Sequence, residues 1–163
     1  AYAALRSTGT KRFAGEAAGS RKAYAFSFSE GKSTTVHVFE SAIDLLSYAT
    51  LQKMRGADWK AEHYVSLGGC CFSVEEGLPP SLTHMLHEKQ NIQVIKLHLD
   101  NDNAGRSITQ AISKLFQNDY QVINAPPPCG KDVNDYLMMK LKQMEERSQN
   151  GAGKNFIHEP QRA

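Results

Sequence analysis

From residue 34 onward, segments with the pattern of a strand alternate with segments that have the pattern of a helix. This alternation is the strongest constraint on the fold, because it predicts a mostly parallel sheet with helices on both faces. Right-handed crossovers then bring the carboxyl ends of the parallel strands to one edge, where ligands of such sheets bind. The predicted strands are 34–39, 63–67, 92–99 and 120–124, and the predicted helices are 41–55, 79–90, 104–117 and 132–147.

The first helix is predicted to begin at Ser41, which forms a capping box with Asp44. We interpret Asp44 as an ordinary acid of the first helical turn. Before this helix, the segment "KAYAFSF" (22–28) alternates polar and apolar residues, and it predicts a hairpin with the strand at 34–39.

Three parts are expected along the chain. A basic N-terminal segment with a β-strand covers residues 1–33, a catalytic domain covers 34–147, and a flexible tail or linker covers 148–163. The sequence begins at Ala1 and reads like the middle of a longer protein, so we also expect further domains as partners.

Acidic residues follow several of the predicted strands. Glu40 directly follows the first strand, Asp100 and Asp102 follow the third, and Asp132 follows the fourth. Four acids at one edge of a sheet repel each other unless a cation offsets their charge. Because all the ligands offered are oxygen atoms, the pattern favours Mg²⁺ or Mn²⁺ over zinc or copper.

Two of these acids also fit local structural roles, which the sequence leaves open. Asp132 fits the N-cap of the last helix, with Asp135 completing a capping box. Asp102 fits a turn or a helix cap. Glu40 fits neither role, since it follows an apolar strand and precedes a helix that is already capped.

Other chemistry-bearing residues are interpreted as structural. His37 and His98 alternate with apolar residues, so we expect them to point outward or to be hydrogen-bonded in the core. The cysteine count is odd and there is no C-x-x-C, so Cys70 and Cys71 indicate reduced thiols in a cytoplasm. No apolar run of about 18 residues and no signal peptide is found, so no membrane role is indicated. The methionines of the last helix are interpreted as serving helix packing and not as part of a cofactor site: Met138, Met139 and Met144.

Positive charge is concentrated at the N-terminus. Residues 1–39 carry six basic and two acidic side chains, a net charge of +4, against +2 for the whole chain. This segment fits the binding of a polyanion, and it also fits a solvated, flexible leader. The candidates for contacts with nucleic acid are Arg12, Arg21 and Lys22.

Several segments resemble the Toprim domain family. "VHVFESAIDLLSY" looks like its first motif, a strand that ends in a glutamate before a helix. "LHLDNDNAGR" looks like its Asp-x-Asp motif in the form of bacterial replicative primases, "SLGG" resembles the intervening loop, and "GKDVNDYL" resembles the third acidic motif of primases. The resemblance covers roughly residues 36–140. The leader is similar to the segment that precedes Toprim-like domains in proteins of bacterial mobile elements.

The resemblance implies a Rossmann-like α/β fold with a central, mostly parallel sheet of about four strands, together with phosphodiester chemistry. By this resemblance Asp100 and Asp102 are ligands of Mg²⁺ or Mn²⁺, and Asp132 is a further ligand. Glu40 is the matching general acid or base. These roles agree with the physics of phosphoryl transfer, in which a divalent ion neutralises developing charge and a carboxylate moves a proton.

Two basic residues and two departures complete the expected site. Arg106 and Lys131 lie beside the acids in sequence and are candidates for binding phosphates. Asn134 stands where the primase pattern has a second aspartate, and Asp135 follows one position later, so both are possible metal ligands. Ser41 replaces the glycine that often follows the family's glutamate.

We therefore expect a Toprim catalytic domain that carries out primase-like nucleotidyl transfer in the replication or transfer of a mobile element. Its expected partners are single-stranded or locally unwound DNA and nucleotides, in the cytoplasm. The alternatives are a Toprim nuclease, a topoisomerase-type module, or a non-catalytic module for DNA binding or assembly. Nothing in the sequence marks Tyr24, Tyr48 or Tyr64 as the nucleophile that a topoisomerase requires.

Overall fold

The computed structural model describes residues 1–11, 13–69 and 77–152. Its strands are β1 (Ala4–Arg6), β2 (Ala14–Glu16), β3 (Ser27–Phe28), β4 (Thr35–Phe39), β5 (His63–Ser66), β6 (Val94–His98) and β7 (Gln121–Asn124). Its helices are α1 (Ala42–Met54), α2 (Pro80–Glu88), α3 (Asn103–Phe116) and α4 (Val133–Ala152), with a short 3-10 helix at Lys22–Tyr24. The alternation predicted from residue 34 onward is confirmed.

One sheet contains five strands of the described chain, in the order β3-β5-β4-β6-β7. Strand β4 pairs in parallel with β5 and with β6, and β6 pairs in parallel with β7. The predicted parallel sheet of about four strands is therefore confirmed, and β3 extends it by one antiparallel strand beside β5. Every residue of β4 is buried, as is typical of a central parallel strand covered on both faces.

The predicted hairpin between 22–28 and 34–39 was wrong. Strand β3 pairs with β5, and Lys22–Tyr24 form a 3-10 helix. The physical reason is that both edges of β4 are already occupied by parallel partners, so β3 finds a free edge only on β5. An N-terminal hairpin does exist, but β1 and β2 form it in a separate two-stranded sheet.

Alternate residues of β4 divide the core between the two faces of the sheet. Val36 and Val38 belong to a cluster that includes α2 and α3, whereas Phe39 belongs to a cluster that includes α1 and α4. Helices thus cover both faces, as predicted. The three methionines that were interpreted as serving helix packing are exposed, whereas Val133 and Leu137 are the residues that α4 directs into the core.

His37 and His98 form a buried, hydrogen-bonded pair across strands β4 and β6. Nδ1 of His37 and Nε2 of His98 lie 2.8 Å apart, and the two rings are stacked. Nε2 of His37 forms a second hydrogen bond with the carboxylate of Glu62. Of the two expected arrangements, pointing outward or being hydrogen-bonded in the core, both histidines adopt the second.

Burial lowers the pKa of His37 and of His98 to about 3. A nearby carboxylate normally favours an imidazolium, but Glu62 is one-third exposed and solvent screens its charge. We therefore take burial as the dominant effect and both imidazoles as neutral. Since the pKa of an unfolded histidine is about 6.5, the unfolded chain takes up protons below that pH that the folded chain does not.

We predict that the free energy of unfolding falls as the pH decreases below about 6.5, with a slope that approaches about 2.7 kcal/mol per pH unit for the two histidines. Urea unfolding between about pH 7 and about pH 5 measures this slope. His98→Gln should reduce the slope, whereas replacing the exposed His87 by glutamine should leave it unchanged. A stability that does not depend on pH in this range would contradict the assignment.

Helix α4 runs to Ala152, past the end at residue 147 that the sequence predicted. Residues 153–163, which form the rest of the predicted tail, lie outside the described residues, as do Cys70 and Cys71. Among the described helices, none combines the length and the apolar character needed to cross a membrane.

Candidate functional site at the carboxyl edge of the sheet

The carboxyl edge of the parallel sheet carries the acids that the sequence predicts there. Glu40 directly follows β4, and Asp100 follows β6. Asp132 lies in the loop between β7 and α4, and this loop is joined to the β6 end because the backbone N–H of Asn101 donates to the carbonyl of Lys131 at 2.7 Å. Topology and hydrogen bonding thus bring three sequence-distant segments to one edge.

Asp100 and Asp102 share one ammonium group. The Nζ atom of Lys131 lies 2.8 Å from Oδ2 of Asp100 and 3.5 Å from Oδ2 of Asp102. The side chain of Asp100 is only 9% exposed, whereas that of Lys131 is 57% exposed. A cation that reaches in from solvent therefore offsets the repulsion between two neighbouring carboxylates. The hydrogen bond to Asp100 raises the pKa of Lys131, which keeps the ammonium charged.

Asp102 uses its two carboxylate oxygens for different purposes. Oδ1 accepts a hydrogen bond from the N–H of Gly105 at 2.9 Å and thereby caps helix α3. Oδ2 faces the ammonium of Lys131. The Gly105 hydrogen bond, followed by the contact with Lys131, holds the pKa of Asp102 below its usual range. The cap role is therefore confirmed, and one oxygen remains directed at a cation.

Gly105 allows the start of α3 to lie directly against the end of the strand. A Cβ atom at this position would lie 2.1 Å from the carbonyl oxygen of Asp100. Because the obstacle is backbone, no side-chain rotation relieves it. The glycine thus explains how the two aspartates come close enough to face one cation.

Asn101 joins two loops of the site through hydrogen bonds, a role that the sequence did not predict. Its side-chain amide donates to the carbonyl of Pro127 at 3.1 Å and makes a longer contact, at 3.4 Å, with the carbonyl of Gly130. Its own carbonyl accepts from Nη1 of Arg106 at 2.9 Å. These bonds hold the loop that carries Lys131 against the Asp-x-Asp turn. The signal available in the sequence was the position of this amide between two acids in a short turn.

Asp44 is the second residue that sequence reasoning underestimated. Ser41 caps α1 through Asp44 as predicted, but Asp44 is also buried. Burial raises the pKa of Asp44, and the nearby charges of Asp132 and Asp100 raise it further, while the hydrogen bond from Ser41 opposes these effects. Asp44 is thus electrostatically coupled to the acids of the site, beyond its role in the first helical turn.

The segment that contains Asp132, Asn134 and Asp135 makes hydrogen bonds both to helix α1 and within its own loop. Oδ1 of Asn134 accepts a hydrogen bond from Ser47 at 3.1 Å, and the backbone N–H of Asn134 donates to Asp44 at 3.3 Å. Asp132 caps α4 by accepting from the N–H of Asp135 at 2.8 Å, so its predicted cap role is confirmed. The carboxylate of Asp135 accepts from the backbone N–H of residue 131.

The predicted phosphate-binding residues already have partners within the protein. Arg106 donates from Nη1 and Nη2 to the Asp-x-Asp turn, including Oδ1 of Asn103 at 2.7 Å, although its exposed guanidinium carries further donors. In the leader, Arg21 lies over the ring of Tyr24 and Lys22 forms an ion pair with Glu16. The third leader residue, Arg12, lies outside the described residues.

In the described part of the chain, Asp100 and Asp102 form a pair that shares one counter-ion, and they are not part of a closed metal cage. Across residues 1–11, 13–69 and 77–152, no group of three or more His, Cys, Asp or Glu side chains is arranged to hold a metal ion. Two carboxylates do converge on one cation, and Asp44 lies within electrostatic reach of Asp132 and Asp100. This donor set fits Mg²⁺, which is usually bound through one or two carboxylates, waters and substrate phosphates.

We predict that Asn101→Asp lowers the free energy of unfolding by about 1–2 kcal/mol. The substitution preserves shape, but it points a carboxylate at two carbonyl oxygens and adds a charge next to Asp100 and Asp102. Urea unfolding measures the loss, which should exceed that of Asn101→Ala. The exposed Asn118→Asp is the matched control, with an expected change within about 0.5 kcal/mol. Equal stability of Asn101→Asp and wild type would contradict the role of Asn101.

Comparison with known proteins adds a family to this geometry. A family model described as Toprim-like matches residues 37–137, a range that contains every acid described at the carboxyl edge. An uncharacterized protein of Bacillus anthracis is 28% identical in an alignment over 142 residues, and the match covers 77% of this chain and 38% of that protein. The chain therefore spans well under half the length of this curated relative.

Among solved structures, the chain is similar to the crystal structure of the primase fragment of the bacteriophage T7 primase-helicase protein. The TM-score is 0.45 and the sequence identity 19%, over 74% of this chain and 44% of the fragment.

Proposed function

The chain belongs to the Toprim-like family, and on that premise we propose that it is a metal-dependent nucleic-acid enzyme that joins nucleotides by primase-like transfer. The observation that carries the proposal is the convergence of Asp100 and Asp102 on one positive charge at the carboxyl edge of the sheet. Ligands of parallel α/β sheets bind at this edge. Two carboxylates that stabilise a cation there suit a hard divalent ion and a substrate rich in phosphate.

In this proposal Asp100 and Asp102 hold Mg²⁺ or Mn²⁺, and Asp132 is a further ligand. When bound, the ion polarises phosphoryl oxygens and neutralises the charge that builds up during transfer. Asn134 and Asp135 are the candidates for a second ion. The amide oxygen of Asn134 has one lone pair beyond its bond from Ser47, but it contributes no charge.

Glu40 is the proposed proton-transfer group. It directly follows the central strand β4, and its carbonyl is held by the N–H of Gly69 at 2.9 Å. Since β4 is the parallel neighbour of β6, Glu40 follows the strand next to the one that Asp100 follows. A carboxylate at this edge is suited to take a proton from a hydroxyl nucleophile or to return one to a leaving oxygen. Buried Asp44 interacts electrostatically with Asp132 and Asp100 of the same edge, and burial raises its pKa.

The proposed substrates are single-stranded or locally unwound DNA and nucleotides, in a cytoplasmic setting of replication or mobile-element transfer. Arg106 is exposed and keeps donors available for a phosphate beside the Asp-x-Asp turn. Arg12, Arg21 and Lys22 of the leader are proposed to contact the strand. In this proposal, Arg21 gives up its contact with Tyr24 and Lys22 gives up its ion pair with Glu16 when the DNA strand binds.

A gel assay of the full-length protein with nucleotides, a single-stranded template and Mn²⁺ tests the reaction type. Extension of the strand supports primase-like transfer, and shortening supports the alternative of a Toprim nuclease. If neither occurs, the non-catalytic binding or assembly module is favoured. Of the three tyrosines considered for a topoisomerase-type reaction, Tyr64 is buried and the ring of Tyr48 lies among core aromatic rings, whereas Tyr24 is exposed.

We predict that one Mn²⁺ or Mg²⁺ binds and that Asp100→Asn abolishes this binding, because the substitution removes the charge of the most buried acid of the pair. Calorimetry measures the affinity, with Asp119→Asn as a control at an exposed acid after α3. Saturating metal should also stabilise the wild type by about 2.7 kcal/mol at a hundredfold excess over the dissociation constant. Equal binding by wild type and Asp100→Asn would overturn the metal site.

We predict that Glu40→Gln lowers activity by roughly 10²-fold or more and changes the affinity for metal little, because the substitution keeps the shape and removes the ionisable group. Turnover and Mn²⁺ affinity are measured on the same preparation. If Glu40→Gln abolishes metal binding and leaves the turnover per bound metal unchanged, Glu40 is a ligand and the proton-transfer role is wrong.

A further inference from the structure

The contact between Lys131 and the acid pair carries an inference about how the site is loaded. We propose that Lys131 alternates between two anions: it neutralises Asp100 and Asp102 in the metal-free protein, and it binds a substrate phosphate once a divalent ion has taken its place. The inference rests on the proposed function, and it assigns Lys131 the role of coupling metal binding to phosphate binding.

The first argument is the position of the ammonium. Its nitrogen lies 2.8 Å from Asp100 and 3.5 Å from Asp102, between one oxygen of each carboxylate. In the described part of the chain, both ion pairs of these aspartates are made with Lys131. A cation shared by two carboxylates occupies the space that a divalent ion bound by the same oxygens needs. The two cations therefore exclude each other sterically and by charge.

The second argument is that the side chain can leave without disturbing the loop. The backbone of Lys131 is fixed at both polar groups, because its carbonyl accepts from Asn101 at 2.7 Å and its N–H donates to Asp135 at 3.1 Å. The side chain is 57% exposed. A lysine carries its charge on a flexible four-carbon stem. The displaced ammonium hence stays within a side-chain length of the site while the backbone keeps its place.

The third argument concerns what the released ammonium meets. It is strongly hydrated in water, but it stands beside the acid pair at the edge where a phosphate of the substrate has to arrive. While Lys131 neutralises the acids, its charge is not available to an anion. Once displaced, the ammonium is free to donate hydrogen bonds to a phosphate. It lies next to Arg106, whose guanidinium contacts the same Asp-x-Asp turn. Metal and phosphate thus help each other to bind.

Thermodynamic linkage makes this coupling measurable from both sides. If metal raises the affinity for a phosphate ligand by some factor, the phosphate ligand raises the affinity for metal by the same factor. We expect a factor of about 5–150, the usual range for coupled sites. Removing the charge of Lys131 should reduce the coupling to the part that comes from the direct attraction between the metal ion and the phosphate, because neither ligand then competes for, or gains from, the ammonium.

The test uses Mn²⁺, titrated by its paramagnetic signal, and a short single-stranded phosphorothioate oligonucleotide, titrated by fluorescence anisotropy. Both titrations are made on the full-length protein, each with and without the other ligand. Lys131→Met keeps the length and apolar stem of the side chain and removes its charge, and Lys131→Gln is a second neutral variant. Lys114→Met removes an exposed lysine on α3 and is the matched control.

We expect Lys131→Met and Lys131→Gln to bind Mn²⁺ about tenfold more tightly than wild type in the absence of oligonucleotide, and to show a smaller mutual enhancement of metal and oligonucleotide binding than wild type. Lys114→Met should behave like wild type. Mn²⁺ binding that is lost in Asp100→Asn but equal in wild type and Lys131→Met would overturn this inference and leave the proposed metal site standing. Weaker Mn²⁺ binding by Lys131→Met would also overturn it. If neither the wild type nor any of the variants binds Mn²⁺, the proposed function fails as well.

Discussion

The hydrogen bonds of Asn101 hold together two loops that are distant in sequence, and the geometry of the whole acidic edge depends on them. They join the Asp-x-Asp turn after β6 to the loop between β7 and α4. Without this connection the ammonium of Lys131 would have no fixed approach to Asp100 and Asp102. A neutral amide thus organises an arrangement whose energetics are dominated by charge. This division is physically reasonable, because an amide makes directional bonds without adding to the repulsion of the acids.

The fold from residue 34 to the last helix was predictable from sequence because the periodicity of each segment is clear and the parallel topology follows from the alternation. The pairing of β3 was not predictable in the same way. Periodicity shows that 22–28 contains a strand, but it does not say which neighbour has a free edge. That depends on β4 being enclosed by β5 and β6, which is a property of the assembled sheet.

The candidate site was predictable in its acids and less so in their partners. Asp100, Asp102 and Glu40 stand out because charge directly after an apolar strand requires an explanation. Asp44 was hidden because its capping box with Ser41 already accounts for it, and only burial reveals its coupling to Asp132 and Asp100. Lys131 was expected to bind a phosphate because it lies beside the acids in sequence. The sequence does not reveal that Asp100 and Asp102 are the anions that it contacts in space.

The buried pair of His37 and His98 constrains how this sequence can change. Each imidazole satisfies the other, and Glu62 completes the chain of hydrogen bonds. A single apolar replacement leaves a buried polar nitrogen without its bond, at a cost of about 1–3 kcal/mol, whereas replacing both rings together removes the need for either bond. Positions 37 and 98, although far apart along the chain, are therefore expected to vary in concert among relatives. A substitution at one of these two strand positions is thus expected to require a matching substitution at the other.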